Sequence, residues 1–225
     1  MGSMGRLGNQ MFQYACAFTV AKRHSTSVSI STHNAYTKNP VNQIVETFKL
    51  SSALRNDYTG ITHQFHEANF SYDPRIEVVP DGTDLVGYFQ SDRYFSQYRN
   101  ELLENEFVFN SDLIDSAAVY IQGLKLYGEL CSIHVRLGDY KKLSDIHTNL
   151  SKDYYTHALS LVPDCKSYLV FSDEPVEAKK MFEQITAKKP QQFLYPDLDY
   201  GTSLYLMSIC NYHIIANSSS SWCGS

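Results

Sequence analysis

The stretch LCSIHVRLGDY, residues 130–140, decides the fold, because a run of apolar residues ends there in charged and polar ones. Its first six residues predict a buried β-strand with Ile133 and Val135 on one face. The opposite face carries His134 and Arg136.

Arg136 and Asp139 have the clearest chemistry in this stretch. Arg136 follows the strand directly, so its planar guanidinium is expected at a strand's carboxyl end, where it suits a diphosphate. Asp139 is expected to orient that arginine or to contact a hydroxyl. A surface ion pair is the alternative that spacing alone leaves open.

Strands and helices alternate after this stretch. Apolar runs predict strands over residues 168–171, 193–195 and 213–216. Amphipathic runs predict helices over residues 153–162, 175–187 and 202–211. Such alternation predicts right-handed βαβ units and a parallel sheet. Ligands bind outside the carboxyl ends of the strands in such sheets, and the polar motifs of this chain fall there.

The N-terminal part of the chain is less regular. A glycine loop precedes a predicted helix over residues 9–24, and a short strand is predicted over 27–30. Residues 94–103 and 111–126 have the pattern of amphipathic helices. Residues 32–87 mix polar residues with turn formers, which favours irregular loops on the acceptor side.

Three further motifs stand at predicted strand or helix ends. GRLGNQMFQY, residues 5–14, has two glycines three apart that let the backbone approach a ligand closely. NSSSSW, residues 217–222, offers the hydroxyl and N–H groups of a phosphate cradle. FSDEP, residues 171–175, ends a third strand. Each has a structural alternative, a capped helix start for the first and third and a polar terminal loop for the second.

Taken together and in order, these segments resemble the α-1,2-fucosyltransferase family of bacteria and eukaryotes, a glycosyltransferase family 11-like group. The glycine loop is similar to the family's N-terminal loop. GYFQSDRYF (87–95), HVRLGDY (134–140), FSD (171–173) and MSICNYHIIANSS (207–219) resemble the family segments that follow it.

The resemblance implies an α/β fold of GT-B type, with two Rossmann-like domains and parallel sheets. Residues 1–125 are expected to form the acceptor-side domain and residues 126–225 the GDP-fucose-binding domain. The fold is expected to be shortened at both ends of the chain. The implied reaction is inverting, metal-independent transfer of L-fucose from GDP-β-L-fucose to the 2-hydroxyl of a β-galactoside. The nucleotide sugar and a glycan acceptor are the implied partners, and no cofactor is expected.

The resemblance also implies roles for individual residues. Arg136 is expected to bind the β-phosphate with Ser218 and Ser219, and His134 to contact the nucleotide. Arg136 and Asp139 are the candidate catalytic residues, Asp139 being a candidate general base as a carboxylate at the right strand end. The other residues expected to bind the donor are Gly8, Asn9, Gln10, Ser203 and Asn217.

Some positions depart from the family pattern. Leu137 stands in place of a second arginine, and Ser203 in place of an aspartate that is expected to read guanine, a role for which Asp197 and Asp199 are alternatives. The strand before the glycine loop is expected to be nearly missing, and the helix after the serines missing. Two rival functions stay open: a transferase of the same scaffold with another linkage or GDP-sugar, and an inactive glycan- or nucleotide-binding relative.

Composition argues against several classes of protein. The 225 residues carry a formal net charge of −5 and no basic block, which disfavours nucleic acid as a partner. No apolar run reaches the ~20 residues that span a bilayer. The eight histidines lack metal-binding spacing, so no metal is expected.

The five cysteines predict reduced core thiols, because no Cys-x-x-Cys pair occurs. This favours a cytoplasmic protein of bacterial type, with a Golgi lumenal domain whose anchor was removed as the alternative. The opening Met-Gly-Ser is typical of an expression remnant.

Overall fold

The structure is a computed structural model that describes residues 4–31, 43–55, 60–124, 126, 128–138, 148–185 and 193–225, apart from the side chains of 53–55. The chain divides into two compact units, Met1–Asn110 and Ser111–Ser225. The predicted domain boundary after residue 125 and the division into acceptor and donor sides stay predictions.

The first unit contains a long helix that is buried along most of its length, α1 (Leu7–Arg23). Lys22 and Arg23 lie in its last turn, where cations stabilise the helix dipole. The described part of this unit also contains two pairs of parallel strands, β1 (Ser29–Ser31) with β2 (Ala53–Arg55) and β3 (His63–His66) with β4 (Thr83–Val86). A short helix, α2 (Gln43–Thr47), and a 3-10 helix, Pro74–Val78, lie in it as well.

Two predictions for this unit were wrong. Residues 32–87 were expected to be irregular, yet β2, β3 and β4 lie there. Strands of three or four residues are too short to leave a periodic signal in the sequence. The amphipathic helix predicted over 94–103 is also not continuous.

A series of different turns replaces that helix. The backbone leaves the helical region at Phe95, with φ −142° and ψ 3°. The Phe95 ring packs edge-on against Phe12 of α1, with ring centroids 5.7 Å apart, so tertiary packing overrides local propensity here. The segment consists of the 3-10 turns Asp92–Tyr94 and Ser96–Tyr98, the α-helical turn Arg99–Glu101 and the π-helix Leu102–Glu106.

The second unit contains a parallel sheet of four strands, which confirms the predicted α/β class. The strands are β5 (Leu130–Val135), β6 (Ser167–Ser172), β7 (Phe193–Leu194) and β8 (Tyr212–Ile214). Their order in the sheet is β7-β6-β5-β8, and β5 has the predicted bounds. Ile133 on β5 pairs with Val170 on β6 and Ile214 on β8.

Five helices accompany the described part of this sheet. They are α3 (Ser111–Gly123), α4 (Lys152–Leu161), α5 (Pro175–Ile185), α6 (Tyr200–Ser208) and α7 (Ser219–Cys223). Ile133 and Val135 pack into one core with Tyr155 of α4 and Phe182 of α5. Because side chains alternate along a strand, His134 is left on the other face of the sheet.

Helix α7 corrects the expectation that no helix follows the serines, since it begins inside the serine run. None of the described helices combines the length and the apolar character that crossing a membrane requires. All five cysteines are free thiols and four of them are buried, as predicted. Burial raises the pKa of the Cys131 and Cys210 thiols to about 12, so both are protonated at neutral pH.

Candidate active site

Arg136 and Asp173 form an ion pair at the carboxyl edge of the sheet in the second unit. Arg136 directly follows β5 and Asp173 directly follows β6, the neighbouring parallel strand. Arg136 Nη1 lies 3.0 Å from Asp173 Oδ2, and the two side chains are only 14% and 18% exposed. The placement of Arg136 at a strand's carboxyl end is confirmed, while its contact with a phosphate stays a prediction.

The Asp173 carboxylate also holds the main chain that follows Arg136. Its Oδ1 accepts from the N–H of Leu137 at 3.0 Å, and its Oδ2 accepts from the N–H of Gly138 at 3.2 Å. A Cβ on Gly138 would lie 2.8 Å from Oδ2, so the glycine permits this close approach. The Leu137 side chain packs against the apolar core and places no cation at this edge.

His134 is held as a neutral imidazole beside this ion pair. Its Nδ1 is hydrogen-bonded to the Ser221 hydroxyl, whose oxygen also accepts from the N–H of Ala216 at 3.0 Å. Ser221 is 2% exposed and its oxygen already accepts from Ala216, so we assign the hydroxyl proton to the bond with Nδ1 and the ring proton to Nε2. Burial, and then the charge of Arg136, lower the pKa of His134 to about 4, against a smaller opposing effect of Asp173.

The serine run follows β8 at the same edge of the sheet. Asn217 donates from Nδ2 to the Thr148 carbonyl at 2.8 Å, which ties the end of β8 to the segment before α4. Ser218 and Ser219 are half-buried at the start of α7, where Ser218 precedes the first helical residue. The predicted phosphate contacts of these residues stay predictions.

Ser203 lies in the first turn of α6 and is half-buried. Its hydroxyl donates to the Leu198 carbonyl at 3.4 Å. Asp199 caps this helix, because its two carboxylate oxygens accept from the N–H and the hydroxyl of Thr202 at 2.8 and 2.5 Å. Of the two carboxylates considered for guanine, Asp199 is thus occupied by the cap, and Asp197 is exposed.

The glycine loop lies in the first unit, and the Gln10 side chain is hydrogen-bonded to its main chain. This glutamine is 1% exposed. Its Nε2 donates to the Gly5 carbonyl at 3.1 Å, and its Oε1 accepts from the N–H of Ile44 at 2.9 Å. Gly5 has φ 72°, a conformation that favours glycine, and Gly8 is buried in the first turn of α1.

Two other glutamines hold the loop, and the sequence analysis did not find them. Gln13 is 1% exposed and both donates to and accepts from the main chain of Met4, at 2.7 and 3.0 Å. Gln43 Oε1 accepts from the N–H of Leu7 at 2.7 Å. Gln13 belongs to the glycine motif, so the sequence could have indicated its role. Gln43 is 36 residues from Leu7 and lies in no motif, so the sequence gave no indication of its role.

Asn9 connects the glycine loop to the GYFQ segment. Its Oδ1 accepts from Gln90 Nε2 at 2.7 Å. Its Nδ2 would lie only 2.2 Å from a Cβ on Gly5, so the Asn9 side chain requires a glycine at position 5. The segment itself is held by Glu67, whose Oε2 accepts from the N–H groups of Tyr88 and Phe89 at 2.8 and 3.0 Å. Two motifs that are distant in sequence therefore meet at one place in this unit.

The predicted site residues thus fall into two groups. His134 and Arg136 are neighbours in the second unit and are joined there by Asp173 and Ser221. The sequence analysis named neither of these two as a site residue, although both lie in its motifs. Asp139, the candidate general base, lies outside the described residues. Among the residues that the structure describes, no three His, Cys, Asp or Glu side chains come together to hold a metal ion, and metal independence stays a prediction.

Comparison with known families decides the assignment. The model of glycosyl transferase family 11 matches residues 2–224, nearly the whole chain. The chain belongs to glycosyl transferase family 11.

Several known transferases are similar in sequence to this chain. An α-1,2-colitosyltransferase of Escherichia coli is 26% identical over 247 residues, covering 98% of this chain and 84% of the relative. The galactoside α-(1,2)-fucosyltransferase 2 of Mus musculus is 30% identical over 149 residues, covering 62% of this chain and 40% of the relative.

Solved structures confirm the GT-B-like fold of this family 11 chain. The fucosyltransferase NodZ from Bradyrhizobium superposes with a TM-score of 0.61 at 13% identity, covering 99% of this chain and 90% of that one. POFUT1 in complex with GDP-fucose superposes with a TM-score of 0.57 at 14% identity, covering 98% and 90%. At such low identity the likeness concerns the fold alone.

Proposed function

We propose that this protein transfers L-fucose from GDP-β-L-fucose to the 2-hydroxyl of a β-galactoside, with inversion and without a metal ion. Membership of family 11 supports a glycosyl transfer. Relatives named α-1,2-fucosyltransferases, such as the one from Mus musculus, support the sugar and the linkage. The prediction of a cytoplasmic location is consistent with relatives from Escherichia coli.

The observation that carries the proposal is the Arg136–Asp173 pair beside a neutral His134. When GDP leaves, negative charge develops on the β-phosphate, and a fixed cation at that position stabilises the transition state. Arg136 is fixed by a 3.0 Å contact with Asp173 at the sheet edge where ligands of parallel sheets bind. We assign the Nε2–H of His134 to a second hydrogen bond with the nucleotide.

The proposed reaction is a single displacement at the anomeric carbon. The 2-hydroxyl oxygen of the acceptor forms a bond to that carbon as the bond to the β-phosphate oxygen breaks, and GDP departs with the electron pair. The hydroxyl proton passes to a base or to water, and Asp139 stays the predicted base. Ser218 and Ser219 are assigned to the phosphate, with Asn217 supporting them through its contact with Thr148.

The other residues that were predicted to bind the donor are not all assigned to it. Gly8 and Asn9 lie in the first turn of α1, where Gly8 is buried and Asn9 is half-buried, and we assign both to the donor side of the site. Gln10 uses both polar atoms of its side chain on the main chain, so we assign it to holding the loop. Ser203 keeps one acceptor position for the guanine, with the exposed Asp197 as a second polar group.

A second candidate function is transfer of a different sugar on the same scaffold. The name of the Escherichia coli relative specifies colitose, and that relative covers 98% of this chain. Leu137 packs into the core and supplies no second cation, which favours a changed or weakened donor site. The same feature motivates the third possibility, an inactive relative that binds nucleotide or glycan.

Release of GDP tests these possibilities. GDP-fucose is incubated with the protein in EDTA, with and without lactose, and GDP-mannose serves as the control donor. We expect GDP to be released from GDP-fucose only when lactose is present, and not from GDP-mannose. Release from another GDP-sugar alone would favour the second candidate, and a thermal shift with GDP without any release would favour the inactive relative.

Arg136→Ala tests the site, with Lys180→Ala as the control because Lys180 is an exposed cation of the same unit. A charge-assisted hydrogen bond contributes ~1.5–3 kcal/mol, so turnover of Arg136→Ala should fall at least about tenfold. The control should retain wild-type turnover. Wild-type turnover in Arg136→Ala would refute the assignment of the phosphate contact.

A further inference from the structure

Two aromatic rings are stacked at the surface of the first unit, beyond the carboxyl ends of β3 and β4. The rings of Phe70 and Tyr88 have centroids 6.4 Å apart and planes inclined by 22°. Phe70 is 72% exposed and Tyr88 is half-buried. We call this pair the aromatic platform. Single exposed apolar residues are common on protein surfaces, so the exposure of Phe70 does not by itself indicate a binding site. The residues around the platform provide the further evidence.

The segment that carries Phe70 is held in place from the core. Asn69 Oδ1 accepts from the N–H of Ser71 at 2.8 Å, which turns the chain at Phe70. The hydroxyl of Tyr94, a residue only 2% exposed, donates to the Ser71 carbonyl at 3.3 Å and accepts from the N–H of Asp73 at 2.9 Å. Phe70 is therefore presented to solvent by a fixed backbone.

The segment that carries Tyr88 is held just as firmly, and at a cost in backbone energy. Glu67 Oε2 accepts from the N–H groups of Tyr88 and Phe89 at 2.8 and 3.0 Å. Phe89 is fully buried with φ 53°, a left-handed conformation that costs of order 1 kcal/mol or more for a residue with a side chain. Strain of this kind is found where a chain must present neighbouring groups in one geometry.

A side-chain amide follows the platform closely in the chain. Gln90, two residues after Tyr88, is exposed and donates to Asn9 at 2.7 Å. Side-chain amides both donate and accept hydrogen bonds, so Gln90 offers polar groups two residues from an aromatic ring of the platform. The Glu67 carboxylate accepts from the N–H of Tyr88 at 2.8 Å, and a carboxylate this close to Tyr88 disfavours an anionic ligand such as a nucleotide.

A neutral sugar ring matches these features. A pyranose has a face of C–H groups, which packs on the electron-rich face of an aromatic ring, and hydroxyls at its edge, which bind amides. We propose that the aromatic platform is the subsite for a sugar ring of the glycan acceptor, with Gln90 binding that ring's hydroxyls. This inference rests on the proposed function, since it specifies where that function's acceptor binds.

Titration with lactose, followed by saturation-transfer NMR, tests the subsite on the full chain. Phe70→Ala removes the exposed ring, Phe70→Tyr retains it, and Val78→Ala is the control because Val78 is 83% exposed in the same unit. Ring stacking contributes about 0.5–1.5 kcal/mol, so the Kd of Phe70→Ala for lactose should rise roughly two- to tenfold. The other two variants should bind lactose as the wild type does. GDP binding, followed by thermal shift, should be unchanged in all of them.

Wild-type lactose affinity in Phe70→Ala would overturn the proposal, as would a wild type that shows no lactose binding. A loss of GDP binding in Phe70→Ala would also overturn it, because the ring would then serve the nucleotide or the fold. Failure of the proposed function is distinguishable from these outcomes. A protein that binds lactose through Phe70 but releases no GDP from any donor has the subsite without the transfer.

Discussion

Replacement of Asp173 by asparagine separates two effects that this carboxylate has on the proposed phosphate site. It holds Arg136 through the 3.0 Å ion pair, and it places a negative charge where a diphosphate would bind. The first effect predicts that Asp173→Asn loses activity. The second predicts that it gains affinity for GDP, because a repulsive charge is removed.

The contacts of Asp173 indicate which effect is larger. Asparagine keeps one oxygen that can accept from the N–H groups of Leu137 or Gly138, so the main-chain contacts are partly retained. The charge-assisted bond to Arg136 is lost, and such a bond contributes ~1.5–3 kcal/mol. We therefore expect kcat/KM to fall roughly ten- to a hundredfold, with a smaller change in GDP affinity.

The assay is GDP release from GDP-fucose and lactose, combined with GDP binding by thermal shift. Glu174→Gln is the matched control, since it makes the same chemical change one residue further on, at an exposed side chain. Its kcat/KM should stay at the wild-type value. Equal melting temperatures of both variants without ligand would show that the loss of activity is not a loss of folding.

A double-mutant cycle decides whether Asp173 acts through Arg136. If it does, adding Asp173→Asn to Arg136→Ala should have almost no further effect on kcat/KM. Losses that add within about 0.3–0.5 kcal/mol would show two independent residues and refute the positioning role. Undiminished kcat/KM in Asp173→Asn would refute it as well.

Three further predictions concern stability and are checked by urea unfolding. Tyr14→Phe removes a 2.6 Å hydrogen bond to the buried Glu106 and should lower the free energy of unfolding by about 1.5–3 kcal/mol; a change below about 0.5 kcal/mol would contradict this. The pKa of His134 is lowered to about 4, so the unfolded state binds more protons than the folded state as the pH falls. Between pH 7.5 and 4.5 the free energy of unfolding of the wild type should therefore fall by about 2–3 kcal/mol more than that of His134→Gln. An equal fall in both proteins would argue against a buried neutral ring. A Cβ on Gly87 would lie 2.5 Å from the Glu67 side chain, so Gly87→Ala should destabilise the protein by about 1–3 kcal/mol, and wild-type stability would disprove the close packing.

The parts of the fold that were predicted correctly are those whose signal is local. β5 has the predicted bounds because a six-residue strand with five buried residues in a parallel sheet leaves a clear pattern of apolar residues. The segment 94–103 has an equally clear helical pattern, yet it breaks at Phe95. The reason is the contact of Phe95 with Phe12, 83 residues earlier, which no local pattern contains.

The same limit applies to the candidate site, and it bears on how family motifs are interpreted. Spacing placed Arg136 at a strand's carboxyl end, but its partner Asp173 depends on β6 being the neighbour of β5, which is a property of the strand order. The family resemblance also grouped Gln10 with the donor-binding residues of its motif, and this stays a prediction. In the structure Gln10 is buried and both polar atoms of its side chain are hydrogen-bonded to the main chain. A motif thus combines residues that face a ligand with residues that hold them. Burial and hydrogen-bond partners together separate these two kinds, because a polar group that is both buried and paired with the main chain does not face a substrate.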